Sequence, residues 1–136
     1  MNLVDTSGWI EFFFAGPHAS FFAPPIEKTE ELIVPVICLY EVFKKVNVIA
    51  DEARALKAVA QMMEGKVVDL TEDVALRASL LSIRHKLPMA NSLIYATALA
   101  QDAVIWTQDQ DFRNLPRVNF LAAPPKAGGR RPGKRG

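Results

Sequence analysis

One cysteine and two histidines are all that this chain of 136 residues offers in thiol or imidazole chemistry. A single Cys38 cannot form an internal disulfide. It sits inside an apolar run, so it reads as a buried structural thiol rather than a nucleophile. Two histidines as far apart as His18 and His85 do not suggest a zinc site. No apolar run approaches the length of a membrane span. The N-terminus, MNLVDTS, has no basic stretch ahead of an apolar segment and so does not look like a signal peptide. A cytoplasmic protein with no membrane association is expected. Disorder is excluded as well: half of the residues are hydrophobic and 23% are charged, enough to bury a core in one domain.

Charge of one sign is missing from one end. All 15 acidic residues lie before residue 126, with 11 of the 16 lysines and arginines, so the body carries a net −4. From Lys126 onward there are five basic residues and no acid. The expected organisation is a folded domain over 1–123 and a flexible Gly/Pro/basic tail over 124–136, which lacks the apolar side chains to repay its ordering.

The remaining pattern alternates strands with helices. Residues 2–4 read as a short buried strand ending at Asp5. Thr6 and Ser7 can cap a helix through Trp9, Ile10, Phe12 and Phe13, which Gly16 and Pro17 break. Pro24 and Pro25 argue against a long helix in 18–29. LIVP (32–35) is a second strand, followed by a strongly apolar helix over about 36–48. Residues 51–64 form a helix with Leu56, Val59, Ala60 and Met63 on one face and Gly65 as its stop. KVVDL (66–70) is a third strand. Thr71 caps a helix over about 72–86 with Leu76, Leu80 and Ile83 at helical spacing. Pro88 fits the first position of a helix reaching about Gln101. AVIWT (103–107) is a fourth strand and VNFL (118–121) a fifth. This order implies an α/β sandwich around a mainly parallel sheet.

In such sheets, ligands bind beyond the carboxyl ends of the strands. Asp5 ends the first strand, Asp109 and Asp111 follow the fourth in TQDQDF, and Glu41 lies on the helix after LIVP. Each has a plain alternative reading. Asp5 suits a helix N-cap, Asp109 and Asp111 suit a turn, and a lone Glu commonly faces solvent. Glu41, however, is the only charge between residues 32 and 43. Apolar side chains cover most of its helix, so a buried carboxylate needing a partner is expected. Acids gathered at one sheet edge suit a hard divalent cation, which stabilises the charge that builds up in phosphodiester hydrolysis.

LVDTS, the YEV around Glu41, LPMANSLIYATA and TQDQDF, in this order, resemble the four motifs of PIN domains in the VapC toxin branch, over roughly residues 1–121. The resemblance implies a three-layer PIN-like sandwich and a metal-dependent endoribonuclease toxin that uses Mg²⁺ or Mn²⁺. It also implies a cognate antitoxin and a homodimer. Position by position, it makes Asp5 the first metal ligand, Glu41 the second acid and Asp109 the acid after the fourth strand, with Asp111 a secondary metal-binding acid. Thr107 becomes the small hydroxyl beside the site, and Thr6 and Ser7 become polar, substrate-binding positions after the first acid. The catalytic set is Asp5, Glu41, Asn91 and Asp109. Position 91 departs from the family, which usually has Asp there; Asn keeps an acceptor oxygen but no charge. Attenuated activity, or an inactive binding module, is therefore a standing alternative.

A receiver-like protein with Asp5 as phosphoacceptor is a third reading. It needs a lysine near a late strand end, where TQDQDF supplies acids. His85 suits a helix C-terminus. Lys44 and Lys45 suit solvated surface or RNA phosphate. The aromatic stretch from Trp9 to Phe22 suits core or a groove for the antitoxin. Asp5, Glu41, Asn91 and Asp109 are expected to converge in one pocket at the C-terminal sheet edge.

Overall fold

The computed structural model describes residues 1–123, so the expected basic tail lies outside the described residues. The chain runs β1 (Asn2–Val4), α1 (Thr6–Phe13), α2 (Ala19–Glu27), β2 (Leu32–Pro35), α3 (Val36–Ile49), α4 (Glu52–Met62), β3 (Lys66–Val68), α5 (Glu72–His85), α6 (Met89–Ala100), β4 (Val104–Thr107) and β5 (Val118–Phe120). All five strands pair in parallel, in the order β3-β2-β1-β4-β5. The central strands are short apolar runs, as expected where both faces of a parallel sheet are covered; every residue of β2 is buried. From β1 the chain winds outward to β2 and β3, then returns across β1 to β4 and β5. Right-handed crossovers then put α1–α4 on one face and α5–α6 on the other. The packing agrees, because α1 meets α2 and α3, α3 meets α4, and α5 meets α6. Trp9, Phe22, Ile33, Ile94, Tyr95 and Ile105 lie in the core between these layers.

Several local expectations give way to tertiary packing. Residues 19–27 are helical although Pro24 and Pro25 lie inside. Those prolines remove two backbone donors. Burial of Phe22, Pro25 and Ile26, and the packing of Phe21 on Trp106 with centroids 5.2 Å apart, offset the loss. The same contacts put much of the N-terminal aromatic stretch into the core: Trp9 and Phe22 are fully buried, and Phe12, Phe13 and Phe21 pack against them. On α4 the buried residues are Ala55, Ala58 and Met62, whereas Leu56 and Met63 are exposed. On α5 they are Val74 and Ala78, while Leu76, Leu80 and Ile83 are 69%, 65% and 77% exposed. Both helices pack largely through small side chains and leave several larger apolar ones outside. Pro88 is the residue before α6 rather than its first, and Asp5, not Thr6 or Ser7, caps α1.

Candidate active site

The strand order changes direction at β1 and β4, and a crevice opens beyond the carboxyl ends of such neighbours. Asp5 leaves β1 there, its backbone N–H donating to the Trp106 carbonyl of β4. Its side chain is buried and held on three sides. Oδ1 accepts the Gly8 N–H at 2.9 Å and the Ser7 hydroxyl at 2.8 Å; Oδ2 accepts the Thr107 hydroxyl at 2.6 Å. Oδ1 thus caps α1 through Gly8, while Oδ2 is tied to the end of β4. Gly8 is required for this. A Cβ there would lie 2.6 Å from the Phe22 ring and 2.7 Å from Val4 Cγ1.

Burial pushes the Asp5 carboxyl up to about 6. The bonds from Thr107, Gly8 and Ser7 oppose that rise, and the nearby Asp109 charge adds to it. Among the described residues the ion pairs are Arg77–Asp73 and Arg117–Asp102, so no cation there compensates Asp5.

From Thr107 the network continues outward. Thr107 Oγ1 accepts the Asp109 N–H at 2.9 Å, and Asp109 Oδ1 accepts the Asp111 N–H at 2.9 Å. Asn91, in the first turn of α6, donates from Nδ2 to Asp109 Oδ2 at 3.2 Å and to Asp111 Oδ2 at 3.1 Å. Asp5, Thr107, Asp109, Asn91 and Asp111 therefore form one connected set.

Glu41 stands apart from that set. Its partner is the Thr6 hydroxyl, 2.6 Å from Oε1. The helix is less buried than its apolar sequence suggested: Cys38, Val42 and Val46 are buried, Val36 and Tyr40 are exposed, and Glu41 is half-buried. Cys38 lies near both acids. Burial pushes its thiol well above the ordinary range, and the charges of Asp5 and Glu41 push the same way, so it is inert.

A polar rim lies beside Asp5 that sequence reasoning did not assign. Gln108 donates from its backbone to Ser7 Oγ at 3.3 Å and from Nε2 to Glu11 Oε1 at 3.3 Å. Its Oε1 lies 3.3 Å from His18 Nδ1, and Glu11 Oε2 accepts the His18 N–H at 2.7 Å. Glu11 and His18 are 97 and 90 positions from Gln108 in the chain, and no local spacing announces the cluster. The only signal was that Gln108 adjoins Asp109.

Among the described residues no three His, Cys, Asp or Glu side chains lie close enough to hold a metal ion by themselves. The donor chemistry nevertheless fits a hard cation. The converging groups present oxygen, and Asp5, buried without a counter-charge, uses three of about four acceptor directions. Asn91 brings a neutral amide to Asp109 and Asp111.

A five-stranded parallel sheet with carboxylates at its switch point defines a class of small α/β domains with an acidic site at the C-terminal strand edge. The PIN domain model matches residues 3–118, and the chain belongs to the PIN-domain family. Among solved structures, it superposes on VapC20 of Mycobacterium tuberculosis, described as a sarcin–ricin loop cleaving toxin, with TM-score 0.74 and 19% identity over 92% of this chain and 100% of that one. A toxin–antitoxin complex from Klebsiella pneumoniae gives TM-score 0.72 and 23% identity, over 88% and 96%. DNA-bound VapBC from Salmonella typhimurium gives 0.67 and 15%, over 90% and 98%. No curated protein matched the chain by sequence.

Proposed function

We propose that this PIN domain is a metal-dependent endoribonuclease and the toxin of a toxin–antitoxin pair, acting in the cytoplasm with activity weakened by Asn91. The observation that carries the reading is the uncompensated, buried Asp5 carboxylate beside Asp109. Mg²⁺ or Mn²⁺ would be held by Asp5 and Asp109, with Asp111, Glu41 and the Asn91 oxygen as further donors. When bound, the ion supplies charge stabilisation at the phosphoryl oxygens and an activated water. Thr107, Ser7 and Gly8 keep Asp5 aimed, while Thr6 holds Glu41. Single-stranded RNA incubated with Mn²⁺ should be cut by the chain, faster by the Asn91→Asp form, and by neither with chelator present. A chain that cuts nothing in either form sinks the reading.

One observation favours an inactive binding module instead. Asn91 brings no charge of its own and donates to both Asp109 and Asp111. Mn²⁺ titration separates the two, since a module of that kind would not respond. Nothing comparable favours a phosphoacceptor, because no lysine pairs with Asp5 among the described residues.

Two apolar surfaces suit the partners that a toxin would have. An open, shallow groove lined mainly by Leu39, Tyr40, Phe43, Val48 and Val59, with Lys44 at its edge, suits an antitoxin segment. The protruding Leu76, Leu80 and Ile83 of α5 suit a second copy, since a two-fold interface uses one patch twice. Leu80→Glu should convert a dimer to monomer by light scattering and shift the stability of the monomer by less than about 0.5 kcal/mol.

A further inference from the structure

Lys44 and Lys45 lie next to Glu41, the acid that the Asp5 network leaves aside. Together with Thr6, Tyr40 and Val48 they line a cleft of about 320 Å³. Thr6 follows Asp5 directly, and its hydrogen bond to Glu41 lies in the cleft's lining. Tyr40 is 61% exposed, and the Lys44 amine lies 5.7 Å from its ring centroid. Among the described residues neither lysine forms an ion pair, although Glu41 is within about one helical turn of both.

An RNA crossing Asp5, Asp109 and Asp111 meets negative charge, so its flanking phosphates need cations close by. Two separate clefts whose walls carry arginine or lysine, one between α5 and α6 and one beside α4, hold none of the acids assigned to the site. This one places two ammonium groups, an open aromatic face and a site acid together. Its volume, near the lower end of ligand pockets at about 300 Å³, matches the size of one nucleotide unit. We propose that this cleft is a nucleotide subsite for single-stranded RNA, in which Lys44 and Lys45 hold a phosphate flanking the one that is cut and Tyr40 stacks on the base. The proposal rests on the ribonuclease reading and adds to it where the substrate lies: along α3, on the Glu41 side of Asp5.

The test is binding of a fluorescein-labelled single-stranded RNA, followed by anisotropy with chelator present across a salt series. Lys44→Ala/Lys45→Ala should weaken binding about tenfold at low salt and reduce the slope of log K against log salt by about 0.7, the value for one phosphate no longer neutralised. Tyr40→Ala should weaken binding about tenfold at an unchanged slope, and Tyr40→Phe should restore it. Arg77→Ala, on the opposite face, should change neither. All four positions are exposed, and unchanged melting temperatures would show that the variants fold. Wild-type affinity and slope in the lysine variant overturn the subsite. So does an equal loss of polyglutamate binding in that variant with no effect at Tyr40, which would make the cleft a seat for an acidic peptide. Cleavage that persists in either case leaves the ribonuclease reading standing. A wild-type chain that neither binds nor cuts RNA with Mn²⁺ removes both.

Discussion

Asp5 and Asp109 stand at the ends of neighbouring strands, close enough for one charge to act on the other, yet they are held in different ways. Asp5 is buried, fixed by two hydroxyls and a backbone N–H, and wedged over a glycine that no larger residue can replace without a shift of its neighbours. Asp109 and Asp111 lie toward solvent on a short turn, steadied by each other and by one amide, Asn91. The inner half of the site is pre-organised by the core, and its charge is costly. The outer half is easily formed but depends on what position 91 carries.

The largest expected effect comes from the inner half. Asp5→Asn should lower metal-dependent cleavage on the order of 10³-fold, the loss of one anionic ligand from a charge-stabilising site. The same change should stabilise the metal-free protein above pH 6. The folded carboxyl titrates at about 6 instead of 3.8, so the native state holds this proton more tightly than the unfolded chain. The associated stability is complete below 3.8 and is lost as pH rises through about 6. Its full size is about 3 kcal/mol at most. Melts in chelator at pH 5 and 7.5 should show the Asp5→Asn variant gaining on the wild type as the pH is raised; parallel curves would mean that Asp5 is not charged at a cost.

Asn91→Asp tests the outer half. It removes both amide donors and adds a carboxylate, so the metal-free protein should lose about 1–3 kcal/mol. Added Mn²⁺ should then raise its melting temperature more than that of the wild type, and cleavage should rise about tenfold, the size of change typical of tuning a ligand set. Equal metal responses in the two forms would place position 91 outside the site. Gly8→Ala should cost about 1–3 kcal/mol through overpacking against Phe22 and Val4, read by denaturant midpoint, with metal response falling alongside. The smallest effect is expected at the rim. Gln108→Ala should lower cleavage only a few-fold while leaving stability within about 0.5 kcal/mol, because the residue acts through Ser7 and the turn rather than on the reacting groups. A loss of about a hundredfold there would make the outer half as pre-organised as the inner.

Much of this was legible in the chain. Strand ends at Asp5 and Thr107 follow from short apolar runs closed by polar residues, and a parallel sheet brings such ends to one edge. The acids of the connected set were therefore identifiable from local pattern alone. Glu41 was singled out on a burial that the structure gives only in part: one stripe of its helix is buried, and the half-buried carboxylate accepts the Thr6 hydroxyl. The rim of Glu11, His18 and Gln108 was illegible because its members meet only after the chain has closed on itself.

By itself the sequence determined the order and type of most elements, the parallel sheet and the edge at which the carboxylates gather, because period, turn residues and strand-end acids are local properties. Only the tertiary structure decided which face of α4 and α5 is buried. Leu56, Leu76, Leu80 and Ile83 have the spacing of a core stripe, yet Ala55, Ala58 and Ala78 face inward. Helices that must approach one another closely do so through their smallest side chains, and that choice depends on the neighbouring helix. The same holds for Pro24 and Pro25, tolerated because Phe22 and Ile26 are buried, and for Asn91, whose amide turns toward two carboxylates that lie 18 and 20 positions away in the chain.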